Sequence, residues 1–247
     1  EADFVWAADS HTLLYVAKNP VTLLSERVQR HALGTDSSGD TLVYAEKDPS
    51  FYLSVSKSRS EKYLFINLKS TEESESHYAE ASDPQLHFRT VRPREPHLLY
   101  DVEHLGTDFV LRTNWEAPNF RIVKTPVATS ADKSSWRDVL PHRGEALLES
   151  FEVSTRSLVV NERSGGLLKI RVVPWEGGTA SGLGRLVDTL EPAYTMRLLS
   201  TPDIGSPVIR YTYSSLIEPE SVYDYDLKSG RSTLQKTERV LGGFATT

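Results

Sequence analysis

Short β-rich runs recur along this chain with a period of about 49 residues, and that period constrains the fold more than any other feature. Runs of Tyr, Val, Leu, Ile, Phe and Thr bounded by turn residues read as strands. One set lies at 4–8, 52–56, 98–102, 150–154 and 194–198. A second follows at 13–17, 63–67, 109–113, 158–162 and 208–213. A third lies at 28–33, 76–81, 120–125, 168–173 and 222–227, and a fourth at 41–46, 86–91, 136–140, 185–189 and 233–236. Each repeat is therefore four strands, A to D in chain order. One such sheet cannot cover both of its faces, so neighbouring sheets must cover them. All four classes repeat together, which favours an all-β fold, a β-propeller of five four-stranded antiparallel blades, over a set of β-sandwiches. The expected blades are approximately 1–49, 50–95, 96–143, 144–191 and 192–244, in one domain.

The connections carry hairpin chemistry. Asp9-Ser10, His104-Leu105-Gly106 and Pro202-Asp203-Ile204-Gly205 separate A from B. Asp36-Ser37-Ser38-Gly39, Glu176-Gly177-Gly178 and Lys228-Ser229-Gly230 separate C from D. Gly supplies positive φ, and Asp and Ser bond their own backbone. Segments 128–135 and 176–184 are polar or Gly/Ser-rich and read as exposed loops. No helical periodicity stands out.

Composition narrows the function. A net charge of −6 argues against a sequence-nonspecific nucleic-acid binder, which needs excess Lys and Arg. Zero cysteine excludes a disulfide framework, a thiolate metal site and a cysteine nucleophile. No apolar run approaches the roughly 18 residues of a membrane span, so no membrane partner is expected. The chain opens on Glu1-Ala2-Asp3 with no basic n-region, which reads as a cut before a strand; with no targeting signal visible, the expected location is cytoplasmic. No Gly-x-Ser-x-Gly elbow, His-Glu-x-x-His or Walker loop is present, and Gly182-Leu183-Gly184 lacks the third glycine of a dinucleotide fingerprint. The histidines, among them His31, His77, His87 and His104, lack ligand-gathering spacing. The sequence thus calls for no cofactor and no metal.

Particular residues carry a family likeness. Phe4-Val5-Trp6-Ala7 precedes Asp9-Ser10, and Asn19-Pro20-Val21-Thr22-Leu23-Leu24 and Arg30-His31-Ala32-Leu33-Gly34-Thr35 follow. Next come Leu42-Val43-Tyr44-Ala45-Glu46-Lys47-Asp48, Thr113-Asn114 with Asn119-Phe120, and Leu158-Val159-Val160-Asn161-Glu162-Arg163. The last repeat has Arg210-Tyr211-Thr212-Tyr213-Ser214-Ser215, Pro219 and Tyr223-Asp224-Tyr225-Asp226-Leu227, then Leu234-Gln235-Lys236 and Val240-Leu241-Gly242-Gly243-Phe244. In order and spacing these resemble the propeller of the prolyl oligopeptidase family of serine peptidases, and within it the oligopeptidase B branch. The resemblance covers the entire chain. It implies a seven-bladed ring, with two blades before Glu1 and an α/β-hydrolase peptidase domain after Phe244. It also implies cleavage of short peptides after Lys or Arg, with the propeller as a gate that excludes folded proteins. The family's catalytic Ser, Asp and His belong to the peptidase domain, so no catalytic residue is expected here and the segment alone is expected to be inactive.

Partner and substrate contacts are expected at the B–C loops, 18–26, 69–75, 114–118, 163–166 and 214–219, which share a face with the end of each D strand. In the resembled family that face meets the peptidase domain. Glu75, at the end of the acidic run Glu72-Glu73-Ser74-Glu75, is a candidate for contact with basic peptides or with that domain; a solvated loop is the plainer reading. Pro20 and Leu23, in an apolar loop, and Asn114 and Asn119 are further interface candidates. Asp101, Glu103, Glu149 and Glu152 lie on or beside A strands and are channel candidates, although alternation lets only about half of them face inward. Two other readings stay open: a free-standing five-bladed interaction scaffold, or a glycan-active enzyme needing carboxylates converging over the channel.

Overall fold

The computed structural model describes residues 3–176, 179–189, 191–201 and 203–242, with the backbone alone for Glu176. The expected turn residues Gly177, Gly178 and Pro202, and Gly243-Phe244 of the terminal motif, lie outside the described residues. The chain divides into two compact units, residues 1–115 with 124–137, and residues 116–123 with 138–247.

Five antiparallel sheets follow one another along the chain. The first is β1 (Phe4–Trp6), β2 (Thr12–Lys18), β3 (Ser25–Ala32) and β4 (Thr41–Ala45). The second is β5 (Tyr52–Lys57), β6 (Tyr63–Lys69), β7 (Ser74–Glu80) and β8 (Arg89–Arg92). The third is β9 (Tyr100–Leu105), β10 (Asp108–Thr113), β11 (Arg121–Pro126) and β12 (Arg137–Leu140). The fourth contains β13 (Leu147–Val153), β14 (Ser157–Ser164), β15 (Leu167–Glu176), β16 (Thr179–Ala180) and β17 (Arg185–Leu186). The fifth is β18 (Tyr194–Leu199), β19 (Val208–Ser215), β20 (Ser221–Asp226) and β21 (Ser232–Thr237). Short 3-10 turns at Ser37–Gly39, Val127–Thr129 and Lys133–Ser135 are the helical pieces among the described residues.

The fourth sheet departs from the four-strand expectation. Its outer edge is split between β16 and β17, two residues each, both paired to β15. Gly184 fixes the turn between them: its φ is +68°, and a Cβ there would stand 2.2 Å from the carbonyl oxygen of Val172. Gly184 is therefore a close-packing residue, while Gly182, also at φ +68°, has open space around it and serves the turn alone.

The hairpin turns form as their residues dictate. Asp9 Oδ1 accepts the backbone N–H groups of His11 and Thr12 at 2.9 and 2.8 Å. Asp226 Oδ1 accepts those of Lys228 and Ser229. The second strands of the second, third and fourth sheets are buried on both faces and read as unbroken apolar runs, such as Leu64-Phe65-Ile66 on β6 and Leu158-Val159-Val160 on β14, whereas β2 and β19 alternate. The outermost β21 is exposed at every position. One core cluster joins the first two sheets through Leu14, Val16, Leu53, Leu64 and Ile66. Another joins the fourth and fifth through Ile170, Val172, Met196, Ile209 and Tyr211.

Candidate functional site

The loop between β2 and β3 is a built turn. Asn19 Oδ1 accepts the N–H groups of Val21 and Thr22 at 2.9 and 3.0 Å, and Asn19 Nδ2 donates to both oxygens of Glu26. Leu23, at φ +61°, closes it through its N–H to Asn19 O. The inward polar bonding drives the apolar side chains outward: Val21 is 86% and Leu23 69% exposed, and Pro20 is exposed beside them. Exposed apolar side chains on an ordered turn are suited to packing against another surface.

Glu75 sits at the start of β7 in a different setting. The Glu72 side chain is solvated, but Ser74 is buried, and only 12% of the Glu75 side chain is exposed. His77 Nε2 lies 2.9 Å from Glu75 Oε1, and the Arg94 backbone N–H donates to Oε2 at 2.8 Å. The Arg94 guanidinium lies 2.7 Å from Glu46 and 3.5 Å from Glu75, stacked over the Phe51 ring at 4.1 Å. The hydrogen bond from His77, against the opposing pull of burial, and then that from the Arg94 backbone bring the Glu75 carboxyl down to about 2. It is a fixed anion whose oxygens are already engaged. Its network ties Glu46, beyond β4, to β7 and to the segment after β8.

Asn114 and Asn119 are likewise engaged by backbone. Asn114 Oδ1 accepts Leu99 N–H at 2.8 Å and its Nδ2 donates to His97 O at 2.9 Å, pinning the chain into β9. Asn119 Nδ2 donates to Arg143 O and Gly144 O, ahead of β13.

The acids of the first strands are mostly paired locally. Asp101 stands opposite Arg112 in the β9–β10 register, 2.8 Å from its Nε, with Lys69 Nζ at 3.0 Å. Glu103 Oε1 accepts the N–H groups of Arg59 and His104. Glu149 falls in a bulge of β13 between Leu148 and Ser150 and pairs with Arg163 Nε at 2.5 Å. Glu152, half-buried, lies further along β13. The structure thus brings Asp101 and Glu103 onto one strand, each with its own partners, and leaves Glu75 in a separate network.

Sequence reading missed a second buried ionic group. Glu162 is 1% exposed on β14, between Arg171 on β15 and Arg143. Burial alone would raise its carboxyl; the hydrogen bonds and charges of Arg171, then of Arg143, outweigh it and hold the carboxyl below the usual range. A carboxylate two residues after an apolar run was the signal available.

A Ser–His contact occurs, Ser60 Oγ to His104 Nδ1 at 2.7 Å, but it is set among packed rings. His104 is 2% exposed against Tyr63 and Phe109, and burial pushes its imidazole down. Among the described residues, no three His, Asp or Glu side chains gather as metal ligands. The arrangement offers anchored charges and an apolar loop, which suit binding and packing.

Residues 1–238 match the family model of the prolyl oligopeptidase N-terminal β-propeller domain. The chain is 39% identical to dipeptidyl aminopeptidase BI of Pseudoxanthomonas mexicana over 98% of its length, which is 33% of that relative. It is 31% identical to Protease 2 of Moraxella lacunata over 87% of its length, 30% of that protein. Oligopeptidase B from Leishmania major superposes on 99% of the chain with a TM-score of 0.91 and 31% identity, using 35% of its own length. Oligopeptidase B from Trypanosoma brucei, in a closed form with covalently bound antipain, gives 0.92 at 27% identity. The chain spans about a third of the length of these relatives. It belongs to the prolyl oligopeptidase family of serine peptidases, as part of that family's N-terminal β-propeller domain.

Proposed function

We propose that the chain is the substrate-filtering part of an oligopeptidase B-like serine endopeptidase that cleaves short peptides after Lys or Arg. The observation that carries this reading is the likeness to oligopeptidase B over 99% of the chain, at 31% identity and a TM-score of 0.91. In this reading the catalytic Ser, Asp and His lie in an α/β-hydrolase domain outside these 247 residues. The exposed Pro20, Val21 and Leu23 pack on that domain, and the propeller opens against it to admit peptides and exclude folded proteins by size. Domain closure of this kind often limits turnover.

A second reading rests on the 39% identity to a protein named a dipeptidyl aminopeptidase. It places the cut two residues from a free amino terminus. The two readings separate in one assay on the full protein that carries the chain. An endopeptidase releases chromophore from an amino-blocked peptide ending in Arg or Lys. A dipeptidyl aminopeptidase requires the unblocked dipeptide. Hydrolysis of the blocked basic substrate, abolished by a serine-directed reagent, is the expected result. Turnover of unblocked dipeptides alone would overturn the endopeptidase reading, and turnover insensitive to the reagent would overturn both.

A further inference from the structure

The outer edge of the fourth sheet stops short, and in the fifth sheet the partly exposed Tyr223 stands beside the buried Tyr211 and Tyr213. β17 ends at Leu186, the Val187 N–H returns to Ile170 O at 2.8 Å, and the chain then leaves β15. A cavity of about 420 Å³ remains, lined in part by Asp188, Tyr211, Tyr213, Glu218, Tyr223 and Arg231. Its volume lies within the range of small-molecule sites.

The rings form two walls. Tyr211 on β19 and Tyr223 on β20 are register partners, with centroids 5.5 Å apart and planes within 15°. Tyr213 meets Tyr223 at 6.4 Å and 88°. The Tyr223 hydroxyl donates to Glu218 Oε1 at 2.5 Å, the Tyr213 hydroxyl to Glu191, and the Tyr211 hydroxyl to Ser232 Oγ at 2.8 Å. These bonds turn the phenol protons toward acceptors. The rings also stay neutral well into alkali: burial first, then the bond to Glu191, pushes Tyr213 up to about 12. Tyr211 and Tyr223 are raised as well, burial leading in both.

Charge points the same way. Asp188, Glu191 and Glu218 bring three carboxylates to the tyrosine group; among the described residues the facing cations are the solvent-exposed Arg231 and Arg185, whose guanidinium lies beside the lining Gly230 and is bonded to Leu227 O. Neutral aromatic faces at right angles, backed by carboxylates, attract cations through the ring quadrupole. A tightly packed aromatic seam would leave no such volume beside it.

We propose that this pocket binds an organic cation, an ammonium or guanidinium group carried on a short carbon body. The source is a free amine or the basic side chain of a peptide, which present the same chemistry. The proposal does not depend on the peptidase reading, because binding is measured directly and peptide cleavage is a separate readout.

Choline is titrated into the full protein by calorimetry, beside its uncharged isostere 3,3-dimethyl-1-butanol. Choline is expected to bind with the isostere at least about five-fold weaker, the share of a single cation–π contact. Tyr223→Leu is expected to weaken choline about five- to thirty-fold, while Tyr223→Phe, which keeps the ring, stays within about three-fold. Glu218→Gln guards against a Tyr223→Leu protein that fails to fold: choline weakens several-fold and the isostere does not change. Agmatine and N-acetyl-arginine amide then separate the sources. Binding of both assigns peptide side chains, and binding of agmatine alone assigns free amines. Equal affinity for choline and its isostere, no choline binding below about 10 mM, or choline binding unchanged in both Tyr223→Leu and Glu218→Gln would overturn the proposal.

Discussion

Replacing Glu75 with Gln separates two roles for one carboxylate: an anchor inside the fold, or a contact for basic peptides. Its geometry favours the anchor. The side chain is 12% exposed, holds His77 and the Arg94 backbone, and sits 3.5 Å from the Arg94 guanidinium. A carboxyl held at about 2 instead of 4.5 contributes at most about 3 kcal/mol at neutral pH. Its folded-state affinity for protons is depressed, so this stabilisation is present above about pH 4.5 and is lost as pH falls toward 2. Glu75→Gln keeps the shape and removes the charge, while Glu46 still holds Arg94 at 2.7 Å. The expected cost is about 2 kcal/mol at pH 7, read as a urea midpoint lower by roughly 1 M. The gap between the parent and Glu75→Gln narrows by about half near pH 3. A gap under about 0.5 kcal/mol at pH 7, or one that does not change with pH, would refute the anchor. Unchanged stability with a raised KM for Arg-containing peptides would assign Glu75 to substrate instead.

Two further outcomes follow from buried geometry. Glu162→Gln leaves Arg143 and Arg171 facing each other with side chains only 12% and 11% exposed, so it should cost about 3–5 kcal/mol. Thermal unfolding would register this as a drop of roughly 2–4 °C per kcal/mol, and a shift under about 3 °C would contradict it. Gly184→Ala forces a Cβ to 2.2 Å from Val172 O at φ +68° and should cost more than about 2 kcal/mol, whereas Gly34→Ala, at φ +87° with open space around it, should cost about 1 kcal/mol. Denaturant midpoints of the two variants check the ordering, and equal midpoints would overturn it.

The strands were legible because their cause is local. Tyr194 to Leu199, with alternate exposure, and the unbroken run Leu158-Val159-Val160 each carry a period or a propensity that a short window reveals. Asp9, Asp36 and Asp226 mark turns because each bonds N–H groups two or three residues on. The split edge of the fourth sheet was not legible. Nothing in 176–189 says that Val172 pairs with Arg185 while Trp175 pairs with Ala180, since that depends on a glycine lying against a strand already in place. The site residues divide similarly. The exposure of Leu23 follows from the Asn-Pro turn beside it, but the partners of Glu75 do not follow from its neighbours.

The sequence by itself determined the repeat, the four strands of every unit but the fourth, the turn chemistry and, through the order of weak motifs, the family. These rest on interactions within a few residues or on a pattern repeated five times. Only the tertiary structure decided what the charges do. Arg94 reaches Glu46 across 48 positions of chain, Glu162 collects two arginines, and Tyr211, Tyr213 and Tyr223 stand beside Asp188 around an open volume. The physical reason is the range of the forces. Backbone preference and strand alternation act along the chain, whereas an ion pair or an aromatic wall exists only where packing brings distant side chains within a few ångströms.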